Sequence, residues 1–197
     1  PEPIITITIP DSFSLAVEQD NGTLQVNELL LNELNLSLDQ GNLIVVNSNS
    51  NDTILKTYLG GINVDGLNTA NLTINGNGGS CTLKNVQSTN QIIIDNITTE
   101  CKLDTITSPK LEHTTHTGNI DMKNLVVEDI SVSLAAANAD LFNVKSNKIH
   151  LTSTGNAPFS GSYSKPSGRI PTVTSLPLGI STLHLEGSKS KTLSSPM

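Results

Sequence analysis

Tryptophan is absent and the 197 residues include only three Phe and two Tyr. A core anchored on large aromatic rings is thereby excluded. Leu, Ile, Val and Ala must fill the interior, which favours thin, repetitive packing. Charge is also sparse, with 11 basic against 18 acidic residues and a formal net charge of −7. No broad electropositive surface is available to neutralise nucleic-acid phosphates or anionic lipid, so neither is expected as a partner. No apolar run approaches the roughly 18 residues that span a bilayer, and no membrane insertion is expected. There is no glycine-rich loop ending in Lys-Ser/Thr, no Gly-x-Ser-x-Gly elbow, no HExxH and no CxxC. The expectation is a non-enzyme without catalytic, cofactor-binding or metal-binding residues. Pro1-Glu2-Pro3-Ile4 lacks the basic and apolar blocks of a signal peptide, as in a trimmed mature form or an excised domain.

What the sequence does contain is a repeat. Gly22, Gly41, Gly60 and Gly79 follow one another at intervals of 19 residues. One extra residue near 88–91 shifts the phase, after which Thr99, Gly118 and Ala137 occupy the slot. Glycine suits a corner that needs positive φ. Two residues after each corner begins a strand with inward positions one, three and six. The first column reads Leu24, Leu43, Ile62, Cys81, Cys101, Ile120, Ala139 and the third-position column Val26, Val45, Val64, Leu83, Leu103, Met122, Leu141. The sixth reads Leu29, Ser48, Leu67, Val86, Ile106, Leu125, Val144, where Ser48 is the lone polar member. A second strand follows in each coil, starting at Leu34, Ile54, Leu72, Ile92, Leu111, Ile130 and Ile149.

One coil cannot bury its apolar face alone, whereas coils stacked about 4.8 Å apart share ladder hydrogen bonds and a continuous core. The expectation is an all-β, right-handed parallel β-solenoid of about seven coils of roughly 19 residues, two strands per coil. Residues 1–21 are read as capping strands, on the alternation of Ile5, Ile7, Ile9 and then Phe13, Leu15, Val17. Residues 22–155 form the solenoid, and 156–197 an irregular, Pro/Ser/Gly-rich cap and tail. Pro158, Pro166, Pro171 and Pro177 argue against central strands there. A last strand near 181–185 is expected before a tail from about Lys189.

Each group that could carry chemistry has a structural reading beside it. The outward column Asp65, Lys84, Asp104, Lys123 alternates in sign and reads as an ion-pair ladder that fixes register. Asp121 and Asp140 stack on adjacent coils beside Lys102, too few oxygens for Ca²⁺. His113 and His116 are three apart. The register places His113 between inward Ile94 and Val132, so either the imidazole is buried or a local bulge turns it out, and the bulge is the expectation. No third ligand for a metal is evident, since His150 and His184 do not converge with them. Cys81 and Cys101 share an inward column with Cα atoms about 5 Å apart, within bonding range. Their side chains point the same way, however, and two buried thiols are expected. Asn47, Asn85, Asn124 and Asn143 share the fifth strand position, which suits a left-handed backbone or an amide ladder. Sequons stand at Asn21, Asn35, Asn51, Asn71 and Asn96, so glycosylation follows if the chain is secreted. Gly76-Asn77-Gly78-Gly79 reads as a corner, because it precedes a strand and not a helix.

An N-terminal strand pair ending in Ile9-Pro10 and Val17 is followed by short Gly-led units. These are Gly41-Asn42-Leu43-Ile44-Val45, Gly61-Ile62-Asn63-Val64 and Gly118-Asn119-Ile120-Asp121-Met122. The pattern resembles the adhesin-like family of β-solenoid proteins, widespread in bacteria with some eukaryotic and mitochondrial relatives, over about residues 4–155. The departures are Thr99, Ala137 and the Pro-rich C-terminus. The resemblance implies a fold and no catalytic residues. The functional expectation is a non-enzymatic structural or interaction module, a rigid rod facing a protein or glycan partner. The alternatives are an accessory subunit of a filament or organellar complex, and a polysaccharide-acting solenoid enzyme. A cell-surface location is favoured over an organellar one.

Overall fold

The computed structural model describes residues 9–153 together with the strands Phe159–Ser164 and His184–Leu185. The alternation at Ile5 and Ile7, the prolines at 158, 166, 171 and 177, and the tail from Lys189 lie outside the described residues. Strand β1 spans Phe13–Asn27, β2 Leu31–Lys123, β3 Val126–Lys145, β4 Lys148–Ser153, β5 Phe159–Ser164 and β6 His184–Leu185. Among the described residues the strand pairings are parallel and join one sheet. β2 is one run of 93 residues because its ladder pairing continues through the corners of several coils.

The 19-residue register is direct in the pairings: Gly22 lies beside Gly41, Leu24 beside Leu43 and Val26 beside Val45. Further along, Gly118 lies beside Ala137 and Ile120 beside Ala139. The chain is an all-β parallel solenoid of about seven turns. Every member of the three inward columns is buried except Leu24 and Leu29 at the N-terminal end, which are partly buried against the core. Ser48 is accommodated by its hydroxyl, which donates to Val46 O (2.9 Å) and accepts from the Leu29 amide (3.3 Å).

Close approach explains the glycine corners. Gly22, Gly41 and Gly79 have φ of 120°, 129° and 111°. A Cβ on Gly41 would overlap the carbonyl oxygen of Gly22, and one on Gly79 that of Gly60. Only glycine lets these backbones stack.

The second-strand register differs from expectation at one coil. Thr53, Leu55 and Thr57 point inward, whereas Ile54 is half-buried on the outer side. Thr53 keeps the 19-residue step from Leu34, and its hydroxyl is bonded to those of Ser50 and Thr69. A satisfied hydroxyl tolerates burial, so polarity alone misassigns the strand phase.

The opposite corner carries a buried hydroxyl column of Ser50, Thr69, Ser88, Ser108 and Ser146. Ser108 donates to Lys110 O (2.8 Å), Ser146 to Lys148 O (2.6 Å) and Thr69 to Asn71 O (3.0 Å), each two residues on. Ser88 instead reaches Gln91 O, three residues on at 3.1 Å. The extra residue near 88–91 is absorbed there, as a wider corner bridged by the same hydroxyl.

The ends depart from expectation in their extent. Leu15 and Val17 pair in parallel with Leu34 and Leu36, so residues 13–17 form a half-coil in register with the first full one. The segment expected to be irregular after 156 contains β5, which continues the stack: Phe159 pairs with Ala139 and Tyr163 with Val144. β6 pairs Leu185 with Tyr163, within the range expected for a last strand. β5 lies between the proline positions, so those residues do not interrupt its ladder.

Candidate functional site

On the outer side of the second strands, coils one to four enclose a groove of about 380 Å³. Two outward columns build its walls by the same 19- or 20-residue step. One runs Asp39, Tyr58, Asn77, Ile97, and the other Ser37, Lys56, Asn75, Asp95. Alternation puts both on the solvent side of inward Leu36, Leu55, Ile74 and Ile94. The third coil contributes Asn75, Gly76 and Asn77 to the lining, with Gly76 standing in the inward column of Leu38, Thr57 and Asn96. Tyr58 and Ile97 project on either side of that coil, 59% and 46% exposed. Two carboxylates, two amides and one ammonium surround an exposed ring. Gly76 is thus an extended, groove-lining residue, and the left-handed corner is Gly79 alone.

Apart from Gly76 and Asn77, the residues weighed from sequence for chemistry lie elsewhere. The column Asp65, Lys84, Asp104, Lys123 does not form the expected ion-pair ladder. Asp65 accepts from Asn85 Nδ2 (2.8 Å), and Asp104 from Asn124 Nδ2 (2.9 Å) and the Thr105 hydroxyl (3.0 Å). These hydrogen bonds hold the Asp104 carboxyl below the usual range, with a smaller contribution from Lys84 and Lys123. Lys123 pairs with Asp121 two residues away at 2.7 Å, which with the attraction of that carboxylate raises the ammonium's pKa. The kink at the fifth strand position turns each amide back onto the preceding coil's carboxylate, leaving the lysine to reach along its own strand. An alternating-charge column does occur at the hydroxyl corner, where Lys110, Asp129 and Lys148 stack in register and Lys148 pairs with Asp129 at 3.7 Å.

Asp121 and Asp140 are adjacent in register. Among the described residues no group of three His, Cys, Asp or Glu is placed to hold a metal. His113 corrects the expected bulge. It stays in the inward column opposite Val132, 1% exposed, with both ring nitrogens lacking a hydrogen-bond partner. Burial pushes its pKa down to about 3. The parallel ladder continues through 110–115 without a register shift, and neutral imidazole is close enough in size to Ile94 and Val132 to fill the slot. His116 is exposed, and His150 bonds the Thr152 hydroxyl at 3.0 Å. His184 belongs to β6.

Cys81 and Cys101 are buried free thiols side by side, and burial followed by contact with Cys81 raises the Cys101 pKa well above normal. Such thiols are poor nucleophiles. Of the sequon residues, Asn21, Asn35 and Asn51 are exposed. Asn71 is half-buried, donating to Asp52 (2.7 Å) and accepting from Asn90 (2.6 Å). Asn96 is fully buried.

The groove escaped motif reasoning because none of its residues belongs to a chemical motif. The available signal was the outward column itself: Tyr58 and Ile97 fall where alternation demands a polar side chain.

Residues 3–96 match the family described as Toastrack DUF4097, a span that includes all of the groove except Ile97. No curated protein and no solved structure matches the chain.

Proposed function

We propose that this chain is a non-enzymatic interaction module, a rigid solenoid whose outer columns present a fixed, periodic surface to a protein or glycan partner. The observation that carries this reading is the mutual restraint of outward side chains on successive coils. Asn68 donates to Asn49 (2.8 Å), Asn71 to Asp52 (2.7 Å), Asn90 to Asn71 (2.6 Å) and Asn143 to Asn124 (2.8 Å). Restraint before contact lowers the entropic cost of association. The similarity of the N-terminal half to the Toastrack DUF4097 family supports a repeat module, and the adhesin-like resemblance supports a surface role. Asp104, held ionised by its amide and hydroxyl neighbours, suits a ladder better than general acid catalysis.

A second reading, a subunit of a larger assembly, is favoured by Phe142 and Val126, which expose 61% and 47% of their surfaces on the later coils.

Retention of the purified chain on immobilised polysaccharides and surface proteins, with product release followed in parallel, tests the proposal. Retention without new reducing ends is expected. Accumulation of new reducing ends would overturn the reading in favour of a polysaccharide-acting enzyme.

A further inference from the structure

We infer that the groove between Asp39 and Ile97 is a binding site for an extended neutral glycan, with the Tyr58 ring as its stacking platform. This rests on the interaction-module reading and names its ligand class.

The ring is the first reason. A tyrosine 59% exposed in the wall of a depression presents a flat apolar face to solvent. The C–H face of a pyranose is its natural complement, because it covers the ring while leaving the sugar hydroxyls at the rim.

The second reason is the polar set around it. Asp39 and Asp95 accept hydrogen bonds, Asn75 both donates and accepts, and Lys56 donates. Carboxylate and amide groups can each engage two neighbouring hydroxyls, the commonest polar pattern on a sugar.

Spacing is the third reason. Equivalent side chains recur every coil at about 4.8 Å, so the site from Asp39 to Ile97 runs for about 14 Å. That repeat is close to the advance of one sugar unit in an extended β-linked chain, so successive units meet successive coils.

Charge selects within the class. Two carboxylates against one ammonium line the groove, and the chain carries a net charge of −7. Uronate or sulfated chains would be repelled. A peptide adding a strand is disfavoured, since the backbone of these coils is already engaged by its neighbours and offers no open edge.

Titration calorimetry of the full chain with β-1,4- and β-1,3-linked glucose hexasaccharides decides the matter, with hexagalacturonate and hexalysine as controls and recovered sugars checked by mass. At least one glucan is expected to bind and hexagalacturonate not to. Tyr58→Ala is expected to weaken binding about tenfold or more, and Tyr58→Phe to keep it within about twofold. Because Tyr58 is exposed, both variants should melt with the wild type, which excludes unfolding as the cause. No binding of either glucan, binding unaffected by Tyr58→Ala, or binding of hexalysine in their place would each overturn the glycan site while leaving the interaction module standing. Shortened sugars in the recovered sample would instead overturn the module reading itself.

Discussion

Asn143 donates from Nδ2 to Oδ1 of Asn124 at 2.8 Å, and both residues hold left-handed backbone, with φ of 52° and 55°. The same column continues through Thr105, Asn85, Gly66, Asn47 and Glu28 at φ of 58°, 53°, 76°, 48° and 53°. One backbone kink per coil is therefore shared along the stack, and side-chain chemistry decides how well each coil tolerates it.

Thr105 is the misfit of that column, because a β-branched residue at positive φ is a steric outlier. Thr105→Asn should stabilise the chain by about 0.5–1 kcal/mol in denaturant unfolding. The new amide would turn back onto the preceding coil as those of Asn85 and Asn124 do, and the Thr105 hydroxyl bond to Asp104 would be lost. An unchanged or lowered midpoint would show that the threonine contact outweighs its strain.

Two glycines on successive coils, one in the corner column and one just after it, should behave differently. Gly41→Ala places a methyl on the Gly22 carbonyl at φ 129°, where neither backbone can move without breaking the stack, whereas at Gly61 the nearest atom is the Oδ1 of exposed Asn42, 2.7 Å away. The expected losses are about 3 kcal/mol or more for Gly41→Ala and below about 1 kcal/mol for Gly61→Ala. Equal losses in urea unfolding would mean that the corner column is not the tight point of the fold.

Most of the inward architecture was legible because a solenoid repeats one packing problem, and Leu43, Ile62, Cys81 and Cys101 answer it at a fixed interval. Legibility failed where hydrogen bonding replaces hydrophobicity as the reason for burial. Thr53 is inward because Ser50 and Thr69 satisfy it, so the apolar Ile54 beside it misleads. The charge column failed for a related reason: the sequence places Asp104 beside Lys84 and Lys123, but only the kink geometry shows that Asn124 takes the carboxylate. The groove around Tyr58 is built by the outward columns Asp39, Tyr58, Asn77, Ile97 and Ser37, Lys56, Asn75, Asp95, whose mixed residue types follow no pattern of their own.

Expression through a glycosylating secretory pathway separates the sequons. Exposed Asn21, Asn35 and Asn51 should accept glycans, whereas Asn96, fully buried in the folded chain, should remain bare in the folded product. Peptide mapping after glycan release checks this. A modified Asn96 in folded material would contradict its inward register.

Thiol reactivity probes the same interior. Cys101 is fully buried beside Cys81 and its thiol is held protonated. Native protein at pH 7.5 should resist alkylation that goes to completion in denaturant, with the rate following opening of the fold. Fast native labelling, or a loss of two mass units from a disulfide, would show that the central coils open or oxidise.

His113 gives the fold a pH dependence of known sign. Its folded pKa of about 3 lies below the ordinary 6.5 because burial disfavours the cation. The unfolded chain therefore binds the extra proton between those values, and stability from this residue is complete above about 6.5 and falls as pH drops toward 3. One fewer proton bound costs about 1.4 kcal/mol per pH unit once the unfolded imidazole is protonated, or roughly 2 kcal/mol between pH 6.5 and 4.5. His113→Leu fills the same slot between Ile94 and Val132 with an apolar side chain and removes two unpartnered buried nitrogens. The variant should be at least as stable as the wild type at pH 7.5 and clearly more stable at pH 4.5, with the gap between their denaturation midpoints widening as the pH falls. A gap independent of pH would mean that the imidazole finds a partner inside the fold and titrates near its ordinary value.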